Sequence, residues 1–563
     1  MSPTAKHLEQ IAGYHQQAKH YLNHAPHPKL QTLAIGFYEK ALKLIPNHFN
    51  TLFALAKVWH RFGHTDKALA YCKQALSVEP DSVHARFLHC TLQIAILEQT
   101  VQEGDLRWEA YEQHLRALNQ WLDSADFQTL SQAITVLQTV CPHFVSCKGK
   151  AELTVQSLWG KAVSKVLSAI ESSPHDAQTL PPLTANERIR VGIVSENFRL
   201  HSDWKMLLYG WMSQLDSKRF ALFGYHLGDQ KDEATATARA LCTRFVQGPN
   251  TFDQWQKEIA ADRPHVLIYP EIGLHKLTTP LAGLRLAPVQ CTSWGHPLTS
   301  GLPTVDYFLS SELAEAENSD AYYTEKLVRL PFLSTHFQPL THEIPELGRD
   351  EFGLRSGAVV YLCVQAIVKY QPQYDEVLAR IAQGVEDSQF VFILRHWPDP
   401  LVKRFEARLQ RVFVAYGLDY ARHVVILPRQ TPSRYHALAR SADIYLDSFH
   451  YSGGTSTMET AVGHALPAVT LPGQFMRGRQ SYAILQGLNM TETIAASVDD
   501  YVALATKLGL DPLWRASIAR QMRENQSLVY GDQRCVRGLE QFLGEAVERT
   551  LTGLTPKAWP AGV

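Results

Sequence analysis

The apolar positions of the chain change period partway along it. Up to about residue 170 they recur at helical spacing; beyond about 188 they fall in short continuous runs separated by helical stretches. Within the first part a helix–turn–helix unit repeats. Tyr38, Ala41 and Pro46 are matched 34 residues later by Cys72, Ala75 and Pro80. The better copy runs over 49–82, with Leu52, Leu55, Ala56 and Trp59 on a first helix and Gly63 at the turn. Ala68, Cys72 and Ala75 follow on a second helix. Small residues let the paired helices approach, and proline ends each unit because it cannot continue a helix. The preceding copy keeps Ala34 but has a weak first helix. A third copy starts near Val83 and fades after Cys90. Helical segments over 104–175 are expected to complete and cap the stack.

A Pro/Ser/Thr/Asn-rich linker, Ser172–Asn186, separates the two parts. After it, runs at 190–198, 221–227, 265–271, 287–295 and 304–311 read as buried strands. A second set follows a polar stretch near 336–350, at 358–364, 389–395, 423–429, 442–449 and 467–473. Short apolar strands alternating with helices predict parallel sheets covered on both faces. Two such sets make two doubly wound Rossmann-like domains facing a cleft. Ligands in this architecture sit beyond the carboxyl ends of the strands, so the loops there carry the candidate chemistry.

Composition narrows the function classes. The net charge of -1 leaves no global basic excess for nucleic acid or an anionic membrane. The 25 histidines are scattered without metal-ligand spacing, and the eight cysteines form no CxxC pair. They read as buried free thiols, and no metal or cofactor is expected. The N-terminus lacks the apolar core of a signal peptide, and no apolar run approaches about 18 residues. A cytoplasmic protein with no membrane span is the expectation.

The richest loop is 451–473, which leaves a strand and opens a helix. Ser452, Gly453, Gly454, Thr455, Ser456 and Thr457 place small residues and hydroxyls at a helix N-terminus, where unpaired N–H groups favour an anion such as a diphosphate. Glu459, one turn in, is placed to accept from a ribose diol. Just upstream, Gln430 is a candidate for reading a base edge and Tyr435 for stacking on a base. Lys369, at another strand end, can neutralise a leaving diphosphate without a metal. In the first Rossmann-like unit His201, Glu271 and His296 end strands where loops overhang the cleft. Each is a candidate to orient an acceptor or take its proton.

These residues carry a family resemblance. GHPLTSGLPTVDYFLSS followed by YYTEKLVRLP is similar to a segment of protein O-GlcNAc transferases. ADIYLDSFHYSGGTSTMETAVGHALPAVTLPGQFMRGR is similar to that family's donor-loop block. With the 34-residue repeat, the period of tetratricopeptide repeats, the chain resembles the bacterial SPINDLY-like branch of glycosyltransferase family 41 over about residues 188–540. The resemblance implies a GT-B fold and inverting transfer from a nucleotide sugar to serine, threonine or asparagine of a protein. By position, Lys369 matches the diphosphate-binding lysine, and Gly454, Thr455 and Ser456 match the donor loop. Glu459 matches the ribose-binding carboxylate, Arg479 the arginine after the PGE turn, and His201 the active-site histidine. Gly454 and Tyr435 each stand where the O-GlcNAc enzymes have histidine, which leaves UDP-GlcNAc, UDP-glucose and GDP-fucose open as donors.

The expected organisation is a helical repeat region over 1–102, a helical extension and linker over 103–185, an acceptor-side Rossmann-like domain over 186–345, a nucleotide-sugar-side domain over 346–540 and a tail over 541–563. The expected function is metal-independent protein glycosylation, with the acceptor recruited by the repeats. The catalytic base stays open between His201, as first choice, Glu271 and His296. The alternative is a repeat scaffold or nucleotide-sugar sensor without transferase activity.

Overall fold

The computed structural model describes residues 5–23, 28–169, 187–341, 343–394 and 397–559; the linker expected at Ser172–Asn186 lies outside them. Three helical layers come first. Ala5–Asn23 packs on Pro28–Leu44, and Phe49–Arg61 on Thr65–Val78. Gly63 turns between the latter pair at φ 77, a left-handed conformation that glycine adopts without penalty. Leu52, Leu55, Ala56, Ala68, Cys72 and Ala75 are all buried, as the repeat pattern requires. The third unit holds only Val83–Thr91 before the chain leaves the repeat, and Val101–Asp123, Phe127–Leu137 and Leu153–Ser168 close the stack.

The first sheet has seven parallel strands: β1 (Ile189–Ser195), β2 (Phe220–His226), β3 (Arg244–Gln247), β4 (Val266–Tyr269), β5 (Val289–Ser293), β6 (Tyr307–Ser311) and β7 (Lys326–Leu330), in the order β3-β2-β1-β4-β5-β6-β7. The second has five: β8 (Val359–Cys363), β9 (Ser388–Ile393), β10 (Val424–Leu427), β11 (Ile444–Leu446) and β12 (Ala468–Val469), in the order β10-β9-β8-β11-β12. The strand order reverses between β1 and β4 in one lobe and between β8 and β11 in the other. These are the switch points at which doubly wound sheets open a crevice. The two lobes form the expected GT-B arrangement. Two strands, β3 and β7, were not expected from the hydrophobic pattern.

The domain boundary expected at 540/541 cuts through a helix. Arg534–Leu551 is continuous and packs on β5, β7 and helix Tyr209–Gln214 of the first lobe. Its apolar stripe (Cys535, Leu539, Phe542, Leu543, Ala546) is buried there, which holds it on that lobe. The chain therefore crosses between the lobes twice. The crossings lie side by side: Gly531 N–H donates to Phe337 O at 2.9 Å, and His336 Nδ1 lies 3.0 Å from Asp532 O.

The helical region is clamped to both lobes. Leu153–Ser168 meets the first lobe so closely that a Cβ on Gly160 would lie 1.8 Å from Gly301 O, and one on Gly301 2.0 Å from Gln156 O. On the second lobe, Arg477 pairs with Glu152 at 2.6 Å and donates to Lys150 O, while buried Arg408 joins Asp375 and donates to Glu98 O. Among the described residues no helix is long and apolar enough to cross a membrane. All eight cysteines are free thiols and six are buried.

Candidate active site

The two switch points face each other across one cavity of about 320 Å³. From the first lobe it is lined by Ser202, Asp203, Met206, Trp294 and Gly295. From the second come Lys369, Tyr435, Tyr451, Gly454, Thr455, Ser456, Glu459 and Gln480. Two helices point their first turns into it, over 202–214 and 455–464. Each contains a π turn, Trp204–Leu208 and Thr457–Val462. Such turns widen a helix locally and recur at functional sites.

The second-lobe wall is built around Asp447, at the end of β11. This buried carboxylate accepts from Gly453 N–H at 2.8 Å and from Thr470 Oγ1 at 2.7 Å, which fixes the glycine loop against the strand. Ser452 N–H donates to Arg477 O, and Ser481 N–H to Ser452 Oγ. A Cβ on Gly453 would stand 2.4 Å from Gln365 Nε2 and Tyr445 OH, so only glycine fits. Ser452, Gly453 and Thr457 thus form the floor of the loop, while Gly454, Thr455 and Ser456 reach the cavity.

Lys369 follows β8 on a short 3-10 turn. Its Nζ donates to Gln365 Oε1 and Ser452 O, both at 3.2 Å, and lies 3.8 Å from the Tyr451 ring centroid. Burial lowers it to about 8, with Cys147 and Asp447 acting the other way. Gln365, which sequence reasoning did not single out, donates through Nε2 to Ser456 Oγ at 2.7 Å and so ties the lysine strand to the donor loop. Glu459 is paired with Lys205 from the opposite lobe. The Tyr435 ring lines the cavity and its hydroxyl bonds Thr460.

The first-lobe wall carries one carboxylate, Asp203. Asp203, also absent from the sequence candidates, accepts from Asn197 Nδ2 at 2.7 Å, and burial pushes it up to about 7. Behind it Glu271 is wholly buried and receives Ser195 Oγ–H at 2.6 Å and Glu196 N–H at 3.2 Å on the same oxygen. Burial and then the neighbouring Asp203 raise it well above the carboxylate range. His201 precedes Ser202 and Asp203 in the chain but is not itself a lining residue. Burial, then the charges of Arg199 and Lys205, lower it to about 4.

Three candidates lie elsewhere. His296 sets Nδ1 2.7 Å from Ile272 O and Nε2 3.3 Å from His143 O, so its ring sits between two backbone loops while Gly295 beside it lines the cavity. Gln430 donates to Pro428 O and receives Arg434. Arg479 donates to Ala314 O at 3.0 Å and to Gly473 O at 3.3 Å, joining the first lobe to the turn at 472–473. The signal for Asp203 was present as Ser-Asp two residues past His201, but it reads as an ordinary helix start.

Comparison with known proteins gives a consistent picture. Residues 155–346 and 338–530 match the family model described as Glycosyl transferase family 41. Over 423 residues the chain is 26% identical to a probable UDP-N-acetylglucosamine--peptide N-acetylglucosaminyltransferase SPINDLY of Hordeum vulgare, covering 71% of this chain and 42% of that protein. It is 24% identical over 274 residues to a UDP-glucose:protein N-beta-glucosyltransferase of Actinobacillus pleuropneumoniae, covering 47% and 41% respectively. These matches span less than half the length of either curated relative. A solved O-GlcNAc transferase of Thermobaculum terrenum superposes with a TM-score of 0.69 at 20% identity, covering 98% of this chain and 99% of that one, a likeness of fold.

Proposed function

Because the chain belongs to glycosyl transferase family 41, we propose that it moves a hexose from a nucleotide sugar to a protein side chain, by direct displacement with inversion and without a metal. The observation that carries this reading is the placement of Lys369. A partly desolvated ammonium stands beside a helix N-terminus rich in small residues and hydroxyls, both lining one cavity between the lobes. A diphosphate laid on Gly454, Thr455 and Ser456 meets unpaired N–H groups and the positive helix end. Lys369 then offsets the charge that grows on the leaving group. Glu459 is the ribose partner and Tyr435 the base-stacking ring. The donor is a UDP sugar, UDP-GlcNAc or UDP-glucose, with GDP-fucose as the remaining choice.

The helical region supports a polypeptide acceptor. Helices Ala5–Asn23, Phe49–Arg61 and Val83–Thr91 line two adjoining cavities of about 910 and 290 Å³ that share Phe53 and Lys57. Lys19, Lys57 and Arg61 are among the lining residues, with His15, His48 and His84, and no carboxylate is. The track ends at Cys141–Phe144, where the Cys141 thiol donates to Gly273 O and His143 O lies 3.3 Å from His296 Nε2, next to Gly295 in the reaction cavity. An extended, non-basic segment laid along it is led toward the sugar.

The test is turnover of UDP-GlcNAc, UDP-glucose and GDP-fucose side by side, with EDTA present and Lys369→Ala as control. Selective turnover of one donor, insensitive to EDTA and lost in the variant, is expected. Nucleotide binding without turnover of any donor would leave the scaffold or sensor reading in its place.

A further inference from the structure

Three carboxylates gather where β1 and β4 end: Glu196, Asp203 and Glu271. Only Asp203 lines the cavity. Asn197 holds its Oδ2, and its Oδ1 has no partner among the described residues. His201, the family-type candidate for the base, is committed differently. Its Nδ1 accepts the backbone N–H of Asp203 at 3.2 Å. The same nitrogen lies 3.5 Å from Asp203 Oδ2 and 3.4 Å from Ser202 Oγ, and His201 is not among the lining residues. A base has to reach the acceptor. Glu271 is wholly buried behind the loop, with Oε1 engaged twice and Oε2 without a partner, and it is not among the lining residues.

We propose that Asp203 is the general base of the transfer. This rests on the glycosyl-transfer reading above. The acceptor O–H or N–H bond breaks and its proton passes to Asp203 Oδ1. The freed electron pair forms the bond to the sugar C1 while the bond from C1 to the diphosphate oxygen breaks. That electron pair leaves on the diphosphate beside Lys369. Base and leaving-group partner belong to opposite lobes, and inversion requires attack and departure on opposite sides of C1.

The surroundings of Asp203 suit the role. Burial lifts its proton affinity toward neutrality, where a base is most effective. Burial and the neighbouring Asp203 raise Glu271 as well, which favours the protonated form of that carboxyl. The other groups facing Asp203 are Glu196, Arg199 and His201 on its own loop, Lys205 on its helix and Tyr451 across the cavity. His201, lowered to about 4, is a weak base.

The test uses the full chain and hydrolysis of UDP-GlcNAc, UDP-glucose and GDP-fucose, with water as acceptor, followed from about pH 5 to pH 9. Calorimetric binding of UDP and GDP reports whether each variant keeps its donor site. The wild-type rate is expected to fall tenfold per pH unit on the acid side of neutrality. Asp203→Asn is expected to lose on the order of 10²–10⁴-fold and the acid limb, with nucleotide affinity kept. Glu271→Gln, which keeps an oxygen to accept from Ser195 and Glu196, is expected to keep the acid limb. A wild-type rate or a surviving acid limb in Asp203→Asn overturns the assignment, as does loss of the acid limb in Glu271→Gln. Should Asp203→Asn lose nucleotide binding, Asp203→Glu decides: it retains the limb if Asp203 is the base, and loss of the limb there overturns the assignment. Wild-type protein that turns over no donor overturns the transfer reading and the base with it, whereas wild-type turnover matched by Asp203→Asn removes the base alone.

Discussion

Lys205 and Glu459 form an ion pair across the cleft, each side chain projecting from the π turn of its own helix. The pair joins the lobes and occupies the carboxylate proposed to receive the donor ribose. At 38% and 15% side-chain exposure, such a pair is worth up to about 1 kcal/mol. Lys205→Met is therefore expected to tighten UDP binding by up to about fivefold, because Glu459 no longer has to release a partner. Glu459→Gln is expected to weaken it. Isothermal titration with UDP checks both; an unchanged affinity in Lys205→Met would show that the lysine does not compete with the nucleotide.

Lys369 gives a second prediction, in rate and in pH. Lys369→Ala is expected to lower kcat by about 10²- to 10³-fold, the scale for removing one preorganised electrostatic group. Burial depresses the lysine to about 8, so the cation is present below that pH and is lost as pH rises through it. The kcat/KM of the wild type, which reports the free enzyme, is expected to decline tenfold per unit above about pH 8. The variant is expected to lack this limb.

A third concerns the helical region. Arg477 and Glu152 are almost wholly buried, and the backbone carbonyl of Arg477 receives Ser452 N–H at the base of the donor loop. Removing one member leaves the other as an uncompensated buried charge, which costs about 3–5 kcal/mol. Arg477→Met is expected to lower the thermal unfolding midpoint and to weaken UDP binding. The double variant Arg477→Met/Glu152→Leu is expected to recover much of the stability, read by calorimetric unfolding.

A fourth tests the contact between Gly160 and Gly301. Here backbone meets backbone, and no flexible side chain can yield. Gly160→Val is expected to cost at least about 1–3 kcal/mol, the scale of overpacking. It is also expected to raise hydrogen exchange along Leu153–Ser168.

Much of this architecture is legible in the sequence, and the reason differs by element. The repeat helices announce themselves because Ala56, Ala68 and Ala75 recur where helices touch, and the central strands because both of their faces are buried. β3 escaped notice because RFVQ is half-exposed at a sheet edge. β7 escaped because Lys326 and Arg329 break its apolar run. The donor loop was readable since its glycines and hydroxyls are consecutive. Asp203, Gln365 and Lys205 were not, because each acquires its place only when distant strands or the opposite lobe meet it. His296 stood at a strand end as expected, yet its ring sits between two backbone carbonyls.

The two chain crossings between the lobes run against each other through Gly531 and Phe337 and through His336 and Asp532. Separate crossings at opposite edges would have locked the lobes together; one crossing would have let them swing freely. Two, laced into a single strap, hold the lobes along one edge, and the helical region ties them a second time through Gly160, Arg477 and Arg408. The groups that face each other across the cavity, Asp203 on one side and Lys369 on the other, are thus held in register from two directions at once.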